Sequence, residues 1–244
     1  MSLNLAIVSG KGGTGKSTVS CGLALSLARM NKRVILIDLD AGLRCLDMFF
    51  GIEENIVFDL FDSINSGDFE NALYYPHGYN KNICVVPAPP KDKTITKEQF
   101  FVFYEKCKKL FDAVILDLPA GLDFSILEDI KDLKYICVSN SDPVSVRDAS
   151  FVAETLSEKN INKPLLIINK FYSKLIRNKT YKNIDDIIDL SGIKLLGIIP
   201  FSTELMLFPI SHKLNKRTNA YKALNRIIRR LGGESVLLPK PQKI

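Results

Sequence analysis

Near its start the chain carries a glycine-rich segment whose lysines and hydroxyl residues are spaced for phosphate binding. The segment satisfies the pattern GxxxxGK[ST], follows the strand-like run Leu3–Ser9 and opens the helical stretch Ser17–Met30. Its residues are Gly10, Lys11, Gly12, Gly13, Thr14, Gly15, Lys16, Ser17 and Thr18. Glycines let successive backbone N–H groups surround phosphate oxygens, and the start of a helix adds a positive dipole. We therefore expect Lys16 to reach the β- and γ-phosphates of a nucleotide and Ser17 to ligate Mg²⁺.

Carboxylates stand at the ends of two further apolar runs. Asp38 and Asp40 follow the second run, and Asp117 ends the fourth. Because ligands of open α/β sheets gather at the carboxyl ends of the strands, we expect these side chains beside the phosphate loop. Asp38 and Asp117 are then placed to support a Mg²⁺ shell, and Asp40 to orient an attacking water. The pattern predicts nucleotide hydrolysis.

A possible base-binding residue, Asn169, closes the sixth apolar run and is followed by Lys170. The Asn-Lys pair resembles the NKxD motif with which GTPases read guanine, but Tyr172 occupies the position of the aspartate. Guanine presents N1–H and N2–H₂ donors that need a carboxylate acceptor, and adenine has no such pair. We therefore favour ATP over GTP. The alternative is that Asn169 only caps the turn after its strand.

The rest of the sequence supplies the elements that must position these residues. Short runs rich in Val and Ile alternate with helical stretches along the 244 residues, which predicts an α/β fold with a doubly wound, mainly parallel sheet and helices on both faces. We expect one domain over residues 1–233, a tail at 234–244, and long loops near the site at Leu39–Asn55 and Phe171–Asn183. The predicted strands are Leu3–Ser9, Arg33–Asp38, Ile83–Pro87, Asp112–Asp117, Tyr135–Ser139, Leu165–Asn169 and Leu195–Pro200. The predicted helices include Ser17–Met30, Thr96–Leu110, Ser145–Lys159 and Lys216–Leu231.

Three segments together resemble the MinD/ParA family of deviant Walker A ATPases, and most closely its MinD branch. They are Lys11–Thr18, Asp38–Asp47 and Asp117–Gly121, and the resemblance continues in motif order to about Gly233. It implies a P-loop NTPase fold, binding of ATP with Mg²⁺, slow hydrolysis to ADP and phosphate, and a homodimer that forms when ATP is bound.

The resemblance also assigns roles to single residues. It implies that Lys11 reaches across the dimer to the partner's nucleotide and joins Lys16 in catalysis. It further implies that Asn169 contacts adenine and that the loop after Pro200 closes over the base. Two positions depart from the family: Cys45 stands where an Asn is usual, and Phe201 begins a segment in which an acidic residue is frequent.

For biological output, the resemblance implies spatial regulation of the division septum, through a septum inhibitor and a topological regulator of the MinC and MinE type. Two relatives remain as alternatives: a ParA-type partition ATPase that binds DNA, and a paralogue that places flagella. An iron–sulfur carrier of the same superfamily would need paired ligand cysteines, but the five cysteines include no CxxC pair. Reduced thiols and a cytoplasmic location are expected, with peripheral attachment at the inner face of the cell membrane as an alternative.

Charge is distributed unevenly along the chain. Residues 1–150 contain 16 Lys and Arg against 20 Asp and Glu, whereas residues 151–244 contain 17 against 7. A basic C-terminal third suits an anionic partner such as DNA or a lipid surface, or else a solvated lysine-rich surface. In the predicted helix Lys216–Leu231, however, Ala220, Leu224, Ile227, Ile228 and Leu231 are spaced to pack on the sheet. The residues after Gly233 include two prolines and do not form an amphipathic helix, so we expect weak binding to membranes.

Overall fold

The apolar runs form a single parallel sheet, as the sequence predicts. The computed structural model describes residues 2–172 and 184–239. In that part of the chain the sheet has seven strands in the order β3-β2-β4-β1-β5-β6-β7, and neighbouring strands pair in parallel. The strands are β1 Leu3–Val8, β2 Val34–Asp38, β3 Ile83–Val86, β4 Ala113–Asp117, β5 Lys134–Asn140, β6 Leu165–Phe171 and β7 Lys194–Pro200. Their carboxyl ends therefore meet at one edge, which we call the carboxyl edge, and their starts define the amino edge.

Helices cover both faces of this sheet, and local capping explains where several of them begin. Thr96 and Gln99 form a capping box at α4, and the Asp142 side chain accepts the Ser145 N–H at the start of α5. The described helices are α1 Lys16–Ala28, α2 Leu46–Phe50, α3 Leu60–Ser66, α4 Lys97–Leu110, α5 Pro143–Glu158, α6 Asp185–Ser191, α7 Thr203–Met206, α8 Phe208–Ser211 and α9 Asn219–Leu231. None of the helices in the described ranges has the length and apolar character needed to cross a membrane.

Alternating side chains of the strands feed two separate cores. In β1, Leu5 and Ile7 join the core beneath α1 and α9, whereas Ala6 and Val8 join the core beneath α4 and α5. The prediction for the last helix is confirmed, because the five apolar positions named above in α9 are all buried. Helix α9 is therefore part of the core and packs on α1 and β7.

The predicted loop after β2 is partly wrong. Residues 39–55 contain the short helix α2 and a 3₁₀ turn at Glu53–Asn55. Helix α2 forms because Leu46, Phe49 and Phe50 are buried in the core beneath α1. The second predicted loop, Phe171–Asn183, begins one residue later than expected because β6 extends through Phe171, and residues 173–183 lie outside the described residues.

Candidate functional site

The glycine-rich segment forms a turn between β1 and the first turn of α1. Gly15, the residue before α1, has a φ of +91°, a left-handed conformation that glycine adopts without strain. A Cβ atom at this position would also overlap the amide of Asn169. No side chain of the described residues caps the start of α1, so its first backbone N–H groups face the carboxyl edge and suit an anion.

The lysine that ends this loop is held close to the sheet. Lys16 is only 8% exposed, and its Nζ donates to the Ser9 hydroxyl at 3.1 Å. Ser9 in turn donates to the Lys11 carbonyl at 2.8 Å. The Lys16 ammonium group thus lies against the glycine-rich loop, which is the segment that the sequence predicts to bind phosphate.

Two buried aspartates lie side by side at the ends of the adjacent strands β2 and β4. Asp38 pairs in register with Asp117, and both are almost fully buried. Burial, together with the nearby Asp117 charge, raises the pKa of Asp38 to about 7. Burial likewise raises the pKa of Asp117 to about 6, and the nearby Ser17 and Ser20 hydroxyls and the Lys16 charge offset it only in part.

The two aspartates differ in their hydrogen bonds. The Asp38 carboxylate accepts the backbone N–H groups of Asp40, Cys45 and Leu46 at 2.9 to 3.2 Å, so it organises the segment after β2 and the start of α2. One oxygen of Asp117 accepts the Ser20 hydroxyl at 2.8 Å. Its other oxygen is buried without a hydrogen-bond partner in the part of the chain that the structure describes. An unpaired buried carboxylate oxygen is costly unless a cation or donor occupies the site.

The segment after β2 also contacts the phosphate loop directly. The Cys45 thiol donates to the Ser17 hydroxyl at 3.2 Å. Burial raises the pKa of Cys45 to about 11, so this thiol stays neutral near pH 7. Asp40 is half-buried, and its carboxylate accepts the N–H groups of Gly42 and Leu43. Cys45, one of the two positions that depart from the pattern of the resembled family, therefore lies against the predicted Mg²⁺ ligand Ser17.

Helix α5 lies against the other side of the loop. The Lys11 ammonium is 3.6 Å from an Asp142 oxygen and 3.9 Å from an Asp148 oxygen. Gly10 lies so close to Asp148 that a Cβ would clash with its backbone carbonyl. Arg147, by contrast, points over the ring of Phe151, at 5.5 Å from its centre.

A cavity of 230 Å³ lies beside the loop, between the ends of β6 and β7. Its lining includes Thr18, Asn169, Lys170, Pro200, Phe201 and Met206. Asn169 is buried, and its amide nitrogen donates to the Thr14 carbonyl at 2.8 Å. At the rim, the exposed rings of Tyr172 and Phe201 stack with centroids 4.7 Å apart.

The residues predicted from the sequence thus meet at the carboxyl edge, and reasoning from the sequence missed three others. These are Ser9 beneath Lys16, Ser20 against Asp117, and Lys170, whose ammonium donates to the Gly13 carbonyl at 2.8 Å. Ser20 lies one helical turn after Lys16 and so on the same face of the helix, and this spacing could have identified it from the sequence. Within residues 2–172 and 184–239, no cluster of three or more His, Cys, Asp or Glu residues could hold a metal ion.

Comparisons with known proteins agree with this geometry. The family profile described as the CobQ/CobB/MinD/ParA nucleotide binding domain matches residues 5–215. The septum site-determining protein MinD of Bacillus subtilis (strain 168) is 35% identical, over 96% of this chain and 90% of that protein.

Solved structures of MinD proteins are also similar to this chain. A chain of the MinC:MinD cell division protein complex of Aquifex aeolicus has a TM-score of 0.87 and 29% identity, covering 98% of this chain and 99% of that chain. The septum site-determining protein MinD of Pyrococcus horikoshii OT3, complexed with Mg-ADP, has a TM-score of 0.78 over 97% of this chain and 100% of that chain, but at 21% identity it shows the fold alone. The chain therefore belongs to the MinD/ParA family of nucleotide-binding proteins, and its named relatives are septum site-determining proteins.

Proposed function

We propose that this chain is an ATP-dependent switch of the MinD type, which binds ATP with Mg²⁺, dimerises and hydrolyses ATP to ADP and phosphate. The observation that carries the proposal is the buried pair Asp38 and Asp117, which lies beside Lys16 and Ser17 at the carboxyl edge. Two adjacent carboxylates with raised pKa values, next to an uncapped helix start, suit a cation that is itself bound to phosphate.

The residues present fit a magnesium ion. The unpaired Asp117 oxygen, the Ser17 hydroxyl and the Asp38 carboxylate are the hard oxygen donors that Mg²⁺ prefers. Ser17 and Asp117 would hold the ion, and Asp38, whose oxygens already accept backbone N–H groups, would support it through water. Mg²⁺ usually keeps several waters and binds substrate phosphates, so it needs no cluster of three carboxylates. When bound, the ion would neutralise charge on the phosphates.

Protein groups would supply the rest of the chemistry. The N–H groups of Gly10 to Thr18 would bind phosphate oxygens, and Lys16 would leave Ser9 to pair with the β- and γ-phosphates. Asp40, which stands at the same edge, would orient the attacking water. Stabilisation of the charged transition state would then come mainly from Lys16 and the backbone donors.

Lys11 would complete the site of a second copy. Its side chain is 36% exposed, and the ammonium lies against Asp142 and Asp148 only at ion-pair distances. Exposed pairs of this kind are worth about 0 to 1 kcal/mol, so a partner's phosphates could readily displace them. The dimer would form when ATP is bound and dissociate after hydrolysis. The rate of hydrolysis would therefore set the lifetime of the dimer.

The base would occupy the cavity between β6 and β7. Asn169 and Pro200 line it, and the stacked Tyr172 and Phe201 offer an aromatic rim. No carboxylate follows Lys170 at the position that would read guanine, which supports adenine. The Asn169 amide nitrogen donates one of its two N–H groups to the loop, and its carbonyl oxygen is an acceptor for the adenine amino group.

The output of the switch would be placement of the division septum. The structurally similar Aquifex chain comes from a MinC:MinD complex, which supports a septum inhibitor of the MinC type as a partner. A topological regulator of the MinE type, a cytoplasmic location and peripheral contact with the inner face of the membrane belong to the same proposal.

The partition alternative depends on the basic C-terminal third. Among those 17 Lys and Arg residues, Arg229 forms an exposed pair with Glu234 at 2.7 Å, and Arg230 donates to the carbonyls of Leu195 and Val236. The similarity to MinD proteins, rather than these contacts, favours septum placement over DNA binding. Binding to duplex DNA that appears only with ATP and weakens with salt would reverse that preference.

The substitution Asp40→Ala tests the chemistry. Loss of a group that orients water should reduce ATP hydrolysis about 100-fold while leaving ATP affinity within about threefold. Phosphate release and calorimetric titration measure the two quantities, and Asp92→Ala, an exposed acid in the loop after β3, is the matched control. If the Asp40→Ala protein hydrolyses ATP at the wild-type rate, the catalytic role belongs to another residue.

A further inference from the structure

The end of strand β6 is irregular at the point where it reaches the phosphate loop. Its pairing with β7 shifts register between Ile168 and Phe171, and Lys170 within this irregularity has a φ of +51°. Left-handed backbone is uncommon and strained for a residue other than glycine. Bulges near active sites commonly redirect a side chain, and here the redirected residue is an exposed lysine.

Both side chains of this bulge contact the backbone of the phosphate loop. The Lys170 ammonium donates to the Gly13 carbonyl at 2.8 Å, and the Asn169 amide donates to the Thr14 carbonyl at 2.8 Å. Two consecutive peptide groups of the loop are therefore held from the same side by one strand end.

Holding these carbonyls also orients two donors. In a planar trans peptide the C=O of one residue and the N–H of the next point in opposite directions. With the carbonyls of Gly13 and Thr14 turned toward β6, the N–H groups of Thr14 and Gly15 are turned away from it. A loop that binds phosphate needs such donors in fixed directions.

Lys170 also lines the cavity between β6 and β7. Its side chain thus touches the space proposed for the base at one side and the loop proposed for phosphate at the other. The Asn169 contact is buried, whereas the Lys170 contact is exposed and can open and close more easily.

We propose that Lys170 is a positioning residue that holds the Gly13–Thr14 peptide in its phosphate-binding orientation and links the base cavity to the phosphate loop. The inference rests on the proposed nucleotide-binding function, and it concerns binding of the phosphate chain rather than recognition of the base. Lys170 acts here through the loop backbone.

The test compares Lys170→Met, Lys170→Arg and the matched control Lys163→Met, which removes an exposed lysine before the opposite end of the same strand. Calorimetry with ADP and AMP, each with Mg²⁺, separates the phosphate chain from the base. We expect Lys170→Met to weaken ADP binding about tenfold, as for one hydrogen bond from a charged group, and to change AMP binding less. Lys170→Arg should recover most of the ADP affinity, and Lys163→Met should match the wild type.

A second readout needs no ligand. Amide hydrogen exchange of residues 13–16 in the nucleotide-free protein should be several-fold faster in Lys170→Met than in Lys163→Met. Unchanged exchange, or equal losses of ADP and AMP affinity, would overturn the inference. Faster exchange in a protein whose wild type binds no nucleotide would support the positioning role and overturn the proposed function instead.

Discussion

Two acidic sites lie at opposite edges of the sheet and differ in how their charge is balanced. At the amino edge, Asp132 accepts hydrogen bonds from Asn4, Tyr104 and Lys108 at 2.7 to 2.9 Å. Partial burial alone would raise the pKa of Asp132, but the bonds from Lys108 and Tyr104 lower it. At the carboxyl edge, burial raises the pKa values of Asp38 and Asp117 to about 7 and about 6. The hydrogen bonds of the first site come from the chain itself, whereas in the second, one Asp117 oxygen has no hydrogen-bond partner among the described residues.

Lysine and arginine residues at the two edges also differ in the partners that the chain provides for their charges. At the amino edge, Lys134 donates to the Leu231 carbonyl at the end of α9, and Arg33 lies 3.7 Å from an Asp112 oxygen. These cations complement helix ends and neighbouring carboxylates. At the carboxyl edge, the buried Lys16 donates only to a neutral hydroxyl among the contacts that the structure describes. We propose that this ammonium group exchanges the Ser9 hydroxyl for phosphate when a nucleotide binds.

The largest expected effect is on Lys16. Lys16→Ala should weaken ATP binding about 100-fold or more, because the phosphate chain loses a charge-assisted partner in a buried place. Lys134→Ala, the corresponding change at the amino edge, should leave ATP affinity unchanged. Calorimetric titration with ATP and Mg²⁺ measures both, and equal affinities in the two variants would remove the distinction between the edges.

A change at Asp132 should affect stability rather than binding. Asp132→Ala leaves the buried groups of Asn4 and Tyr104 without their acceptor, so the free energy of unfolding should fall by about 1 to 3 kcal/mol. Among the described contacts, the neighbouring Asp129→Ala breaks only an exposed pair with Lys97, and it should cost about 0.5 kcal/mol or less. Urea denaturation gives both values. A clear loss of ATP affinity in Asp132→Ala would contradict its structural role.

The last expected effect concerns the dependence of stability on pH. A carboxyl group whose pKa is raised by folding binds a proton more tightly in the folded state, so its contribution to stability falls as the pH rises from about 4 to about 7. Between pH 5 and pH 8 the nucleotide-free protein should lose up to about 4 kcal/mol through this pair, at about 1.4 kcal/mol per unit of pKa shift. Asp117→Asn should lose less, since one of the two charges is absent. Urea denaturation at several pH values measures this loss. If the free energy of unfolding falls equally with pH in both proteins, Asp38 and Asp117 do not titrate as a coupled pair.

Much of this arrangement can be predicted from the sequence, because buried parallel strands and the GxxxxGK[ST] loop have strong patterns. Every predicted strand is present, and the apolar face of α9 is buried as expected. Helix α2 was missed because five residues are too few for a helical period to show, and because its start depends on backbone bonds to Asp38.

The contacts of Lys170 could not be predicted for a different reason. Its direction depends on a shift of pairing between β6 and β7 and on a left-handed backbone, and neither leaves a signal in the residue types. The register of Asp38 with Asp117 likewise follows from the order of the strands in the sheet, which composition alone does not determine.

Sedimentation velocity with ATP and Mg²⁺ tests the switch most directly, in an Asp40→Ala background that keeps ATP intact. We expect a dimer with ATP and a monomer with ADP. We also expect that adding Lys11→Ala to Asp40→Ala returns the ATP-bound protein to a monomer, since the lysine that would reach the partner's phosphates is gone. A monomer in every condition, or an ATP-dependent dimer that persists without Lys11, would contradict the mechanism proposed here.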